Sequence, residues 1–266
     1  MKTLFGRRLP ALAAALALLV APLSGAFAMR VSPMVFEMEA SGSSSVARME
    51  VQNVNQENLA FETRVYRLTF DKDGNQVEEP ADDKFLVFPP QGVLPPGGRQ
   101  VVRLQWVGPA VLAASESYYV SVNQLPVEFK PAVADQPAAQ VQVVYNMRAL
   151  VVVAPPGATP NVEAASVTPI DYQAPAPSTD APVPAKVPGL AVTLKNTGRR
   201  HAMMAAFGWR FEGTDTAGQP LRIDITPEEL NRAVGTGYVP ALGERTFRFP
   251  VTTAFGPQPI RLSFVR

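Results

Sequence analysis

The stretch that most constrains the fold is Ala139 to Ala154, AQVQVVYNMRALVVVA. In its first half Val141, Val143, Tyr145 and Met147 alternate with Gln140, Gln142 and Asn146, the period of a strand with one apolar and one polar face. From Ala149 to Ala154 every side chain is apolar, which suits a strand covered on both sides. Pro155-Pro156 then stops it, since proline cannot donate to a strand ladder. The stretch reads as one long strand passing from a half-exposed to a fully buried setting, and something must cover the apolar face of its first half.

The chain opens with the pattern of an export signal. Lys2, Arg7 and Arg8 are basic, Leu9 to Pro22 is an apolar core, and Ala26-Phe27-Ala28 is a small-x-small cleavage pattern. Residues 1–28 are therefore expected to be removed, leaving an exported chain from Met29. No later run reaches the roughly 20 apolar residues of a membrane helix, so no stable membrane insertion is expected. The sequence holds no cysteine, and an exported fold without disulfides must rest on real hydrophobic cores. The net charge is +1 and the basic residues are spread, whereas a nucleic-acid partner would want a basic stripe. Proline makes up 27 of 266 residues, and no long helical period is present. The fold class is all-β.

Alternation predicts seven strands in residues 29–154: Arg30–Glu37, broken at Pro33 as at an edge or a change of sheet, then Val46–Val54, Leu59–Phe70, Phe85–Phe88, Arg99–Val107, Ser117–Val127 and the stretch above. That number and rhythm are those of an immunoglobulin-like sandwich. Residues 155–160 read as a linker. Strands at 161–168, 190–196, 203–212, 221–225, 245–251 and 260–265 predict a second, smaller sandwich over 161–266, with a Pro/Ala-rich loop at 174–188. Thr226, Pro227 and Glu229 mark a capped helix start of one or two turns. Two immunoglobulin-like β-sandwich domains are thus expected.

Catalytic constellations are hard to assemble. His201 is the only histidine, so a Ser-His-Asp triad would rest on it alone. It follows Arg199-Arg200 at a turn, where an exposed or locally bonded ring is expected. Asp71 to Asn75 lacks the spaced later ligands of a calcium loop and reads as a hairpin turn. Asp82-Asp83 and Glu228-Glu229 read as solvated pairs. No enzyme, metal or cofactor is expected.

Several segments together resemble the periplasmic pilus-assembly chaperones of the chaperone-usher pathway. They are FPPQGVLPPGGRQVVRLQW (Phe88 to Trp106), ESYYVSVNQLPV (Glu116 to Val127), the opening stretch, and LAVTLKNTGRRHAM (Leu190 to Met203). The resemblance implies a boomerang of two immunoglobulin-like domains that binds pilin-like subunits, fills the gap in each with a strand of its own, and delivers it to an outer-membrane usher. Localisation would be the periplasm. It implies that Val141, Val143, Tyr145 and Met147 enter the subunit groove, each buried side chain contributing about 1.5–3 kcal/mol. The bland alternative is that these four cover the chain's own core. An edge strand with an apolar face also invites self-association of the free chain.

The match has gaps. The two basic residues with which the best-known branch grips the subunit's terminal carboxylate align with Pro33 and Leu150, so Arg148 and Arg30 are the substitutes close by. Glu116 matches the family's interdomain brace, but its arginine partner aligns with Ala154, so bracing must use other contacts or the hinge is looser. These departures look like the divergent, archaic branch. The competing reading is a secreted immunoglobulin-like structural or adhesion module, which accounts for the sandwich but not for the long alternating strand.

Overall fold

The structure, a computed structural model, describes residues 29–70, 75–127, 143–176, 178 and 181–265. The expected signal segment 1–28, Val141 and most of the expected Asp71–Asn75 turn lie outside the described residues.

Residues 29–154 form two facing sheets. The strands are β1 (Met29–Ser32), β2 (Val35–Glu39), β3 (Val46–Asn53), β4 (Leu59–Phe70), β5 (Gln76–Pro80), β6 (Phe85–Phe88), β7 (Gln91–Leu94), β8 (Arg99–Trp106), β9 (Glu116–Leu125) and β10 (Asn146–Ala154). One sheet runs β1-β3-β8-β6 and the other β2-β10-β9-β4-β5, with β7 also paired to β4. Pro33 stands where the chain leaves one sheet for the other: β1 pairs with β3, and β2 pairs with β10 in parallel. Alternation places Met49, Val51, Val102 and Leu104 of one sheet against Phe61, Val65, Val120 and Val151 of the other, all buried. Phe85, Trp106 and Tyr118 meet edge-on or tilted at 5.1–5.7 Å between centroids, geometries that suit aromatic quadrupoles.

Two strands of this first sandwich carry no period that predicts them. β5, QVEEP, is exposed along most of its length, and β7, QGVL, is too short to show a period. The strand expected from Ala139 is also shorter among the described residues. β10 starts at Asn146, and residues 143–145 continue it through the bonds from Gln124 N–H to Tyr145 O at 2.9 Å and from Tyr145 N–H to Gln124 Oε1 at 3.4 Å.

The rest of the chain makes a second β-sandwich. It comprises β11 (Val162–Tyr172), β12 (Val187–Asn196), β13 (Ala202–Met203), β14 (Gly208–Thr214), β15 (Pro220–Ile225), helix α1 (Pro227–Val234), β16 (Tyr238–Val239), β17 (Gly243–Pro250) and β18 (Arg261–Val265). Its sheets are β11-β12-β17 and β15-β14-β18, with β13-β16 as a short ribbon. Trp209 is buried at its centre, edge-on to Phe211, Phe247, Phe249 and Phe264. At α1, Thr226 accepts from Glu229 N–H while the Glu229 carboxylate accepts from Thr226 N–H, the reciprocal cap that its sequence predicts.

Each sandwich carries a buried asparagine at a strand end. Asn53 donates to the carbonyls of Glu57, Leu94 and Pro95 and accepts from Asn55 N–H. Asn53→Ala would leave buried carbonyls unsatisfied, at about 1–3 kcal/mol each. Urea unfolding should show a loss of at least about 2 kcal/mol, whereas Asn55→Ala should change stability by less than half of that.

Candidate functional site: an open strand edge and an interdomain joint

Strand β10 pairs with β9 along Asn146–Val153 but with β2 only along Leu150–Ala154. Among the described residues, no strand pairs with Asn146–Ala149 on the β2 side. Leu150 N–H reaches Met34 O at 2.9 Å on that side, and Tyr145 O faces β9. Backbone groups alternate along a strand, so Asn146 and Arg148 present their N–H and C=O to the open edge.

The side chains beside this edge divide. Val143 is 58% exposed, while Tyr145 and Met147 are half-buried against the first core. The row is thus continuous with Ala149, Val151 and Val153 of the domain's own interior. On the opposite face Ser121 donates between Asn123 and Asn146, and Arg148 lies across Tyr119 to reach Glu78 at 2.5 Å. Arg30 sits on β1 in the other sheet, opposite Gln52.

Leu150 and Val152 point to the outer face of β10 and are covered by the second domain. With Leu68 and Tyr238 they form a buried apolar cluster, flanked by Val35, Phe70, Tyr119 and Met203. A basic side chain in place of Leu150 would have to bury its charge there. Tyr238 stacks on Phe70 and on His201, each at 5.8 Å, and shares a hydrogen bond with Ser117. Burial pushes its phenol above the ordinary value.

Polar contacts flank this cluster. Arg199 donates to Ala113 O at 2.6 Å and Leu112 O at 3.1 Å, and its own carbonyl accepts from Ser115 N–H. His201 N–H donates to Ser115 Oγ at 2.8 Å. Glu37 of β2 accepts from Arg200 and lies 3.2 Å from His201 Nε2. Although burial opposes it, the two cationic or donating neighbours hold the Glu37 carboxyl below the usual range. The segment 199–201 is fixed from behind by Asn196, whose side chain accepts from Asn161 and Gly198 N–H and donates to Arg200 O. Glu116 stays within the first domain, accepting from Tyr118 OH and facing Arg67 at 3.5 Å. His201, expected at the turn as an exposed or locally bonded ring, is buried instead, with its partner Glu37 on a strand 164 residues away in sequence.

Beside the cluster lies a cleft of about 660 Å³ between the domains, lined by Arg67, Phe70, Glu116, Tyr238, Arg245 and Arg248 among others. The Arg245 guanidinium rests on Phe70 and Phe247 at 5.0 and 4.9 Å and donates to Tyr238 O. Neither Arg30 nor Arg148 lines this cleft.

Residues 29–159 match the family model described as pili and flagellar-assembly chaperone, PapD N-terminal domain. No curated protein matches the chain in sequence. Among solved structures, the class 5 fimbriae chaperone CfaA aligns at 11% identity and a TM-score of 0.50, covering 90% of this chain and 99% of that one. The chaperone YadV aligns at 9% identity and 0.50, covering 90% and 92%. The chaperone CsuC of Acinetobacter baumannii Csu pili, in complex with CsuE, aligns at 13% identity and 0.48, covering 82% and 89%. The shared fold is a pair of immunoglobulin-like β-domains, and the chain belongs to the pilus-assembly chaperone family.

Proposed function

We propose that this protein is a periplasmic chaperone that captures pilin-like subunits by adding the open edge of β10 to them, and then delivers them to an outer-membrane usher. The observation that carries the proposal is the edge of Asn146–Ala149, unpaired on the β2 side among the described residues, next to the exposed Val143. Strand addition needs these two things together: backbone groups free to pair, and alternate side chains that fill pockets in the partner. The basic, apolar and small-residue order within residues 1–28 supports export to the periplasm.

Val143 supplies contact with the subunit at little expense to the chaperone, and Val141 alternates with it in the sequence. Tyr145 and Met147 serve both partners, since they also pack on the chaperone's core. A subunit carboxylate is held in the cleft by Arg248, with Arg245 beside it, rather than by Arg148, which is engaged with Glu78, or by Arg30. An apolar Leu150 in the joint supports placing the chain in a divergent, archaic branch. Bracing between the domains falls to the 199–201 segment, with Glu116 ordering Tyr118 beneath it.

Two outcomes test this reading. When the protein is co-expressed in the periplasm with a pilin-like subunit lacking its last strand, a one-to-one complex should co-purify. Val143→Asp should abolish that complex while changing the chaperone's stability by no more than about 0.5 kcal/mol; unchanged capture would sink the strand-addition reading. Arg248→Ala should weaken subunit binding roughly ten- to a hundredfold, as expected for losing a charged hydrogen bond, and Arg148→Ala should leave it unchanged.

A further inference from the structure

The interdomain joint contains the chain's only histidine, and that residue is held in an unusual way. The His201 side chain is 1% exposed. Its Nε2 lies 3.2 Å from Glu37 Oε1, whereas its Nδ1 is buried with no hydrogen-bond partner. With Glu37 ionised, the neutral ring carries its proton on Nε2 and donates it across the joint. Nδ1 is then a bare lone pair.

A second proton changes this balance. It must go to Nδ1, which creates a buried charged donor with no acceptor, the costliest kind of unsatisfied group. The groups around His201 come from four directions, the last of them holding its backbone N–H. Glu37 approaches from β2, Arg200 from the same segment, Tyr238 from β16 with its ring stacked at 5.8 Å, and Ser115 from the segment before β9. Of these, Glu37 alone is negative, and it is already paired with Arg200. Burial holds the imidazole below its ordinary value, Glu37 pulls it up, and Arg200 pushes it down further.

We propose that this joint is a proton-operated hinge, in which protonation of His201 releases the 199–201 segment from Glu37 and Ser115 and frees the two domains to re-orient. The sign follows from linkage. The opened form exposes the ring and takes up a proton near the ordinary value of about 6.5, whereas the closed form takes it up only at lower pH. The closed state is therefore fully favoured above about pH 6.5 and loses ground as pH falls from there to the closed-state value, at most tenfold per pH unit for one proton. The same joint covers Leu150 and Val152, so opening it also uncovers the root of β10.

A single histidine makes the test direct. In the NMR spectrum of the full chain, the one imidazole Cε1–H resonance should titrate clearly below about 6.5. Over the same pH range, small-angle scattering should show the radius of gyration rising, and hydrogen exchange at the His201 amide should accelerate. His201→Gln can still donate an N–H to Glu37 but cannot take up a proton, and its scattering profile should be unchanged across that range. A resonance that titrates at or above about 6.5 would overturn the hinge, as would a His201→Gln chain that opens in acid as the parent does. Should that variant not fold, the titration of the unaltered chain decides alone.

Discussion

Strand β10 is paired on both sides along Leu150–Val153 and, among the described residues, on one side only along Asn146–Ala149, and the rest of the molecule is arranged around that change. Where both neighbours are present, its two faces serve different partners. Val151 and Val153 enter the first core, and Leu150 and Val152 enter the cluster shared with Tyr238 of the second domain. Where β2 is missing, the backbone of Asn146 and Arg148 has no strand partner on that side among the described residues. A free edge of this kind is ordinarily a liability. Here the adjoining side chains hold it in place: Tyr145 and Met147 pack on the core beneath, and Arg148 is drawn over Tyr119 to Glu78.

The second domain makes that anchoring asymmetric. It grips only the C-terminal half of β10, through an apolar cluster flanked by charge-assisted contacts at Glu37 and by carbonyl acceptors at Leu112 and Ala113. Surface ion pairs alone contribute little. A buried cluster with Tyr238 at its centre contributes more, since each large side chain removed from water is worth about 1.5–3 kcal/mol. Leu150, which stands where a basic residue was expected, is explained by this arrangement. Arg67, Arg245 and Arg248 line the cleft beside it.

Much of the fold was legible in the sequence wherever one face of a strand is buried and the other wet. Leu59–Phe70 and Phe85–Phe88 were read to the residue, and the break at Pro33 marked a true change of sheet. The helix cap at Thr226 was legible because its two bonds are local. What failed lacked a local signal. Gln76–Pro80 has no buried face to impose a period. His201 sits in a polar run, and its burial depends on Glu37 and Tyr238, which are distant in the chain. The alternating residues of β10 were legible as a face, but their division between an exposed Val143 and half-buried Tyr145 and Met147 was not, because it depends on where the opposite sheet ends.

In the proposed mode of capture, Asn146 and Arg148 offer their backbone to another polypeptide while Met147 and Ala149 are committed to β9. Residue-resolved hydrogen exchange on the protein, free and bound to a pilin-like subunit, measures this directly. The amides of Met147 and Ala149 should exchange slowly in both states, and those of Asn146 and Arg148 should become slow only in the complex. Equal exchange at Asn146 and Arg148 with and without the subunit would contradict it.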